Sequence, residues 1–196
     1  INEFAARFPN AVCGIITLLV IFNIGKKLFD ERFGLWWVIV YAGSILPHFY
    51  FRSGIIDPWF NLLIFIAIWF FVQLNTNTGV ISPGKRFLYA ALWGSFTGLA
   101  ILTKGPTALL IIGLVASIAY LPHLLSLVKI KSRFLKNPPL FTLRFLDILV
   151  FFLFTIIIGG SWFLVQIMSG HADMVQKFIL YQVRLFTIPD AGHGGH

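Results

Sequence analysis

The chain has 196 residues, 58% of them apolar and 11% charged, with a formal net charge of +8. This apolar share and a mean hydropathy of +0.88 stand well above the roughly 45–50% of a soluble average. They exclude an ordinary soluble domain and make the bilayer the solvent. The basic residues flank apolar runs and form no polar cluster, so they read as juxtamembrane charge, and nucleic acid is excluded as a partner.

In chain order, residues 1–10 predict a short amphipathic lead-in with Phe4 and Phe8 on one face. Six apolar segments follow, at 11–28, 35–51, 58–74, 87–103, 107–128 and 143–168. Crossing the hydrocarbon core takes about 20 apolar residues in a helix. The shortest segments have 17 residues, which suits a thinned bilayer or recruited flanking aromatics. Pro47 predicts a kink in the second span. Residues 171–186 predict a second amphipathic helix at the surface. The fold expected is all-α: a polytopic transmembrane helix bundle of about six spans with short amphipathic interfacial helices. Neither an internal repeat nor a low-complexity segment is visible, and Cys13 is the one cysteine.

The gaps between spans alternate between basic-rich and basic-poor. One set holds Lys26, Lys27, Arg32, Lys85, Arg86, Lys129, Lys131, Arg133, Lys136 and Arg144; the other holds Arg7, Arg52, Lys104, Lys177 and Arg184. The positive-inside rule places the first set in the cytoplasm. The sparse polar groups then face the other side, which argues for chemistry at a lipid–water interface there.

Three constellations lie on that side. In Phe51-Arg52-Ser53-Gly54-Ile55-Ile56-Asp57-Pro58-Trp59, Asp57 predicts a helix N-cap with Pro58 at the first helical position. The same carboxylate, five residues from Arg52, suits orienting a sugar or supporting a base. In Leu102-Thr103-Lys104-Gly105-Pro106 the spacing predicts a helix end, with a cation in the last turn, Gly at C′ and Pro beyond. Lys104 is also a natural counter-charge for a phosphate. The tail carries Arg184, His193 and His196, with Asp190 nearby. The two histidines have the chemistry of metal ligands, but a Gly-rich loop fixes no register and no third strong ligand is evident. Substrate contact is the reading for both. No cofactor is assigned, and a divalent metal stays open.

Other polar groups read as structure. Arg144 and Asp147 are spaced to pair at i, i+3, and Gly159-Gly160-Ser161 offers a small-residue packing surface. Asn23, Asn61 and Thr97 are expected to bond between helices.

The chain resembles the integral-membrane GT-C glycosyltransferases of the protein mannosyltransferase and lipid A aminoarabinose transferase type. The matching pieces are Ala6-Arg7-Phe8-Pro9-Asn10-Ala11, Gly25-Lys26-Lys27-Leu28-Phe29, Arg52-Ser53-Gly54-Ile55-Ile56-Asp57, Gly98-Leu99-Ala100-Ile101-Leu102-Thr103-Lys104-Gly105-Pro106 and His193-Gly194-Gly195-His196. The resemblance implies transfer of a glycosyl group from a polyprenyl-phosphate-linked sugar to an extracytoplasmic lipid, glycan or protein acceptor, in a bacterial inner membrane. It implies that Arg52, Lys104, Arg184, His193 and His196 contact substrate and that Asp57 is an auxiliary catalytic group. The family's main catalytic acid sits in an Asp-Glu motif after a first span. Glu3 is the only acid ahead of the first apolar run and sits too close to Arg7-Phe8-Pro9 to be that residue, so the expectation is a single transmembrane domain, residues 1–196, cut from a longer protein. Its first span, most of the first extracytoplasmic loop and the C-terminal spans would lie outside it, and used alone it would be inactive. The alternatives are a piece of a secondary transporter or a non-catalytic assembly subunit. A transporter would favour repeats and midplane charges, which the sequence does not display.

Overall fold

The computed structural model describes residues 2–76, 81–127 and 143–187, in eight helices and without strands among these residues. The chain divides into two compact units, Ile1–Ile66 and Ala67–His196.

The first unit is built on α1 (Glu3–Leu28), α2 (Glu31–Gly43), α3 (Ile45–Arg52) and the start of α4 (Asp57–Thr76). The expected lead-in is not separate: α1 begins at Glu3 and runs through Pro9 without a break. Its buried residues Asn10, Cys13, Gly14, Thr17, Ile21, Ile24 and Gly25 recur every three or four positions and form one stripe. Small residues in that stripe let the next helix come close. A Cβ on Gly25 would stand 2.9 Å from Gly34 Cα, and one on Gly34 would stand 2.7 Å from the Phe22 carbonyl oxygen. Asp30 caps α2 by accepting a hydrogen bond from the Phe33 N–H at 2.7 Å, which sharpens the α1–α2 turn.

The second expected span is broken. α2 and α3 meet at Ser44 with a bend of 67°, three residues ahead of the kink predicted at Pro47. Pro47 has no N–H for the carbonyl of Gly43, and its ring crowds that carbonyl, so α2 ends at Gly43.

The second unit holds the rest of α4, then α5 (Pro83–Lys104), α6 (Thr107–Leu127), α7 (Phe145–Met168) and α8 (Ala172–Thr187). Its core is the α5–α7 pair. Arg86 reaches Asp147, the Thr155 hydroxyl donates to the Gly94 carbonyl at 3.2 Å, and Gly98 lies against Gly159, a Cβ on Gly98 falling 2.9 Å from the Gly159 nitrogen. Each pairing is offset by 61 residues, so the two helices run parallel and in fixed register. Trp93 stacks on Phe151 between these layers, with centroids 3.9 Å apart. Gly159 thus fulfils the expected packing role, whereas a Cβ on Gly160 would meet nothing within 4 Å. α8 packs back on α7 through Phe178, against Trp162 and Phe163.

Among the described residues, four helical stretches are long and apolar enough to cross a membrane: Glu3–Leu28, Asp57–Asn75, Pro83–Lys104 and Phe145–Met168. The bent α2–α3 pair makes five if counted as one span. At 1.5 Å per residue, the 13-residue α2 and the 8-residue α3 are each too short to cross alone, and α6 adds a 21-residue apolar helix, Thr107–Leu127.

Three expected polar pairings are corrected. Asp147 pairs with the Arg86 guanidinium of α5; Arg144 meets it through backbone, its N–H donating to the carboxylate at 2.8 Å and its carbonyl accepting from the Asp147 N–H at 3.0 Å. Asn23 and Thr97 donate to Leu19 and Trp93, four residues back in their own helices. In apolar surroundings the i−4 carbonyl is the nearest acceptor for such a side chain.

Candidate functional site

The loop from Ser53 to Ile56 joins α3 to α4, with Arg52 as the last residue of α3 and Asp57 as the first of α4. Three successive turns of α1 hold this region. Ala6 lies under Gly54, where a Cβ would stand 3.5 Å from the Ala6 carbonyl oxygen, and the Phe51 ring lies over Gly14, 2.9 Å from the position of a Cβ. Between them, the Asn10 amide nitrogen donates to the carbonyls of Ser53 and Ile55, both at 2.6 Å. Asn10 is 4% exposed. Both of its partners are acceptors, so the orientation of the amide is fixed by the bonds themselves.

Asp57 stands one residue further in than the cap expected of it. The first bond of α4 runs from the Phe60 N–H to the Ile56 carbonyl at 3.2 Å. A carboxylate at the first helical position still meets the positive end of the helix dipole. Arg52 is exposed and Asp57 half-buried, so one short loop presents a cation at one end and an anion at the other.

Two clefts flank α3 within this unit. A groove of about 290 Å³ is lined by Ala11, Ile15 and Leu18 of α1 and by His48, Phe51 and Arg52 of α3. A cleft of about 320 Å³ opens on the other side, lined by Trp37, Tyr41, Tyr50, Pro58, Asn61 and Phe65 among others. Asn61, expected to bond between helices, faces this cleft. The first is an apolar trough with a guanidinium and an imidazole at its wall. That combination suits an amphiphile whose headgroup is anionic.

Lys104 and Arg184 belong to the second unit. Lys104 ends α5 and is half-buried. Gly105 follows with φ 67° and ψ −148°, its N–H bonded to the Ile101 carbonyl at 2.7 Å. This is the helix end that Lys104-Gly105-Pro106 predicts, and it needs glycine because side-chain-bearing residues rarely adopt that backbone. Arg184 is exposed in the last turn of α8. His193 and His196 lie outside the described residues.

The structure therefore brings Arg52 and Asp57 to the two ends of one clamped loop, and sets Lys104 and Arg184 on separate helices of the other unit. Sequence reasoning missed Asn10 as the side chain that holds this loop. The signal was there: a lone amide among Cys13, Gly14 and Thr17 on the small-residue stripe, which marks a close approach of backbone. Among the described residues no three His, Cys, Asp or Glu side chains form a group that could hold a metal.

A family model described as dolichyl-phosphate-mannose-protein mannosyltransferase matches residues 1–158. Comparison with curated proteins and with solved structures gives no match.

Proposed function

The chain belongs to the dolichyl-phosphate-mannose-protein mannosyltransferase family, and from that premise we propose that the intact protein moves a glycosyl group from a polyprenyl-phosphate carrier to an acceptor hydroxyl or phosphate at the extracytoplasmic face of a bacterial inner membrane. The acceptor is a lipid A-like glycolipid, a glycan or a protein. The acceptor oxygen attacks the anomeric carbon, the bond from that carbon to the carrier phosphate breaks, and a base takes the acceptor's proton. Cations stabilise the negative charge that builds on the departing phosphate.

In this reading Arg52, Lys104 and Arg184 are the cations, with His193 and His196 as further substrate contacts. Arg52 is suited to hold a phosphate with two nitrogens, and the isoprenoid tail occupies the trough beside it. Asp57 orients the base or the sugar hydroxyls. The observation that carries the reading is the placement of Arg52, at the end of a clamped loop and on the wall of an apolar groove.

The test replaces Arg52, Asp57 and Lys104 singly with Ala in the full-length protein and measures transfer from polyprenyl-phosphate sugars. Lost transfer with normal membrane insertion supports the site. Undiminished transfer in all three variants removes it.

A further inference from the structure

The loop between α3 and α4 is irregular backbone inside a membrane protein, where carbonyls without donors are costly. Two of its carbonyls, those of Ser53 and Ile55, are met by one side chain from a different helix, 43 and 45 residues earlier. An amide NH₂ is suited to this, because it offers two donors in a rigid fork and carries no charge. Pro58 has no N–H, so the loop has one backbone donor fewer of its own at that end.

We propose that Asn10 is a positioning residue for glycosyl transfer. By gripping the carbonyls on either side of Gly54, its amide fixes how far Arg52 and Asp57 stand from α1, and so where the carrier phosphate meets the reacting sugar. This rests on the reading that Arg52 contacts that phosphate. The contact with Ala6 one turn above, and that of Phe51 with Gly14 one turn below, hold the loop against α1 but do not bind its carbonyls. Without the amide the loop stays nearby and loses its defined height. Misplacement of a contact group by about 1 Å can cost as much as 10²-fold in rate. The loss then falls on kcat and leaves donor affinity largely in place.

The experiment uses the full-length protein in liposomes, with polyprenyl-phosphate mannose and polyprenyl-phosphate aminoarabinose as donors. Wild type, Asn10→Leu, Asn10→Gln and Arg52→Ala are compared, with rates normalised to folded protein from thermal melts and with amide exchange followed at residues 53–56. Asn10→Leu is expected to lower kcat by about tenfold or more, with KM within about threefold of wild type and faster exchange in the loop. Asn10→Gln, which keeps the NH₂ group, is expected to recover part of kcat. If Arg52→Ala loses transfer while Asn10→Leu keeps wild-type kcat per folded molecule, the positioning role is overturned and the proposed function stands. The positioning role also fails if loop exchange in Asn10→Leu is unchanged. If the wild type is inert with both donors, or Arg52→Ala is as active as wild type, the reading on which this inference rests fails first.

Discussion

Arg86 grips Asp147 from one helix to the next, its Nε standing 3.0 Å from both carboxylate oxygens and its terminal nitrogen closing on Oδ2. The side chains are 6% and 5% exposed. The pair ties the first turn of α5 to the first turn of α7, where a polar link is shielded from water.

Removing one partner leaves the other charge buried. Arg86→Met or Asp147→Leu alone is expected to destabilise by about 3–5 kcal/mol, while the two together recover most of it. Chemical unfolding in detergent, run as a double-mutant cycle, checks this. Additive losses in the double variant would show that the two residues are not coupled.

The α5–α7 interface predicts a sharp contrast between two glycines. Gly98→Ala drives a Cβ toward the Gly159 nitrogen at 2.9 Å and the Thr155 carbonyl oxygen at 3.1 Å. These are backbone atoms that cannot swing aside, so a loss of about 1–3 kcal/mol is expected. Gly160→Ala adds its methyl to open space and is expected to stay within about 1 kcal/mol of wild type, its direction set by helix propensity in favour of Ala. Thermal melts of the two variants side by side are the measurement.

At the end of α5, fold and chemistry separate. Gly105→Ala forces a side chain into a backbone region that glycine alone adopts readily, at a cost of about 1–3 kcal/mol. Its effect is read as a lowered melting temperature. Lys104→Met keeps the stem and removes the charge, so transfer per folded molecule should fall. Equal melting and equal transfer in Lys104→Met would take Lys104 out of the site.

Arg52→Lys separates charge from geometry. A lysine retains the cation but not the planar fork. Transfer is expected between wild type and Arg52→Ala, with the deficit in kcat. Steady-state kinetics over a range of donor concentration resolves the two parameters.

Local signals were legible and long-range ones were not. The turn at Lys104-Gly105-Pro106 could be read because a helix end depends on residues within one turn of it. The small surface at Gly159 could be read too, but not its partner Gly98, since nothing local points across 61 positions. The same gap hid Arg86 from Asp147: the sequence offers Arg144 three residues away, and the fold uses a cation from another helix. The break at Ser44 was placed at Pro47, because proline acts on the carbonyl four residues behind it and not on its own position. Arg52 and Asp57 could be picked out as charges beside a span, but the amide that fixes their loop comes from α1. Asn61 and Asn23 show the converse error, polar residues given partners on other helices that the described residues do not supply.

The parallel register of α5 and α7 has a consequence for how the chain is made. Arg86 leaves the ribosome 61 residues ahead of the carboxylate that will neutralise it. At roughly 5–20 residues per second, that interval lasts about 3–12 s. During it α5 is threaded with a guanidinium at its leading end that has not yet met the Asp147 carboxylate, a charge best held in the headgroup layer. The nascent protein thus passes through a stage in which a helix awaits its counter-ion, and translation speed sets how long insertion machinery or anionic lipid must shelter it.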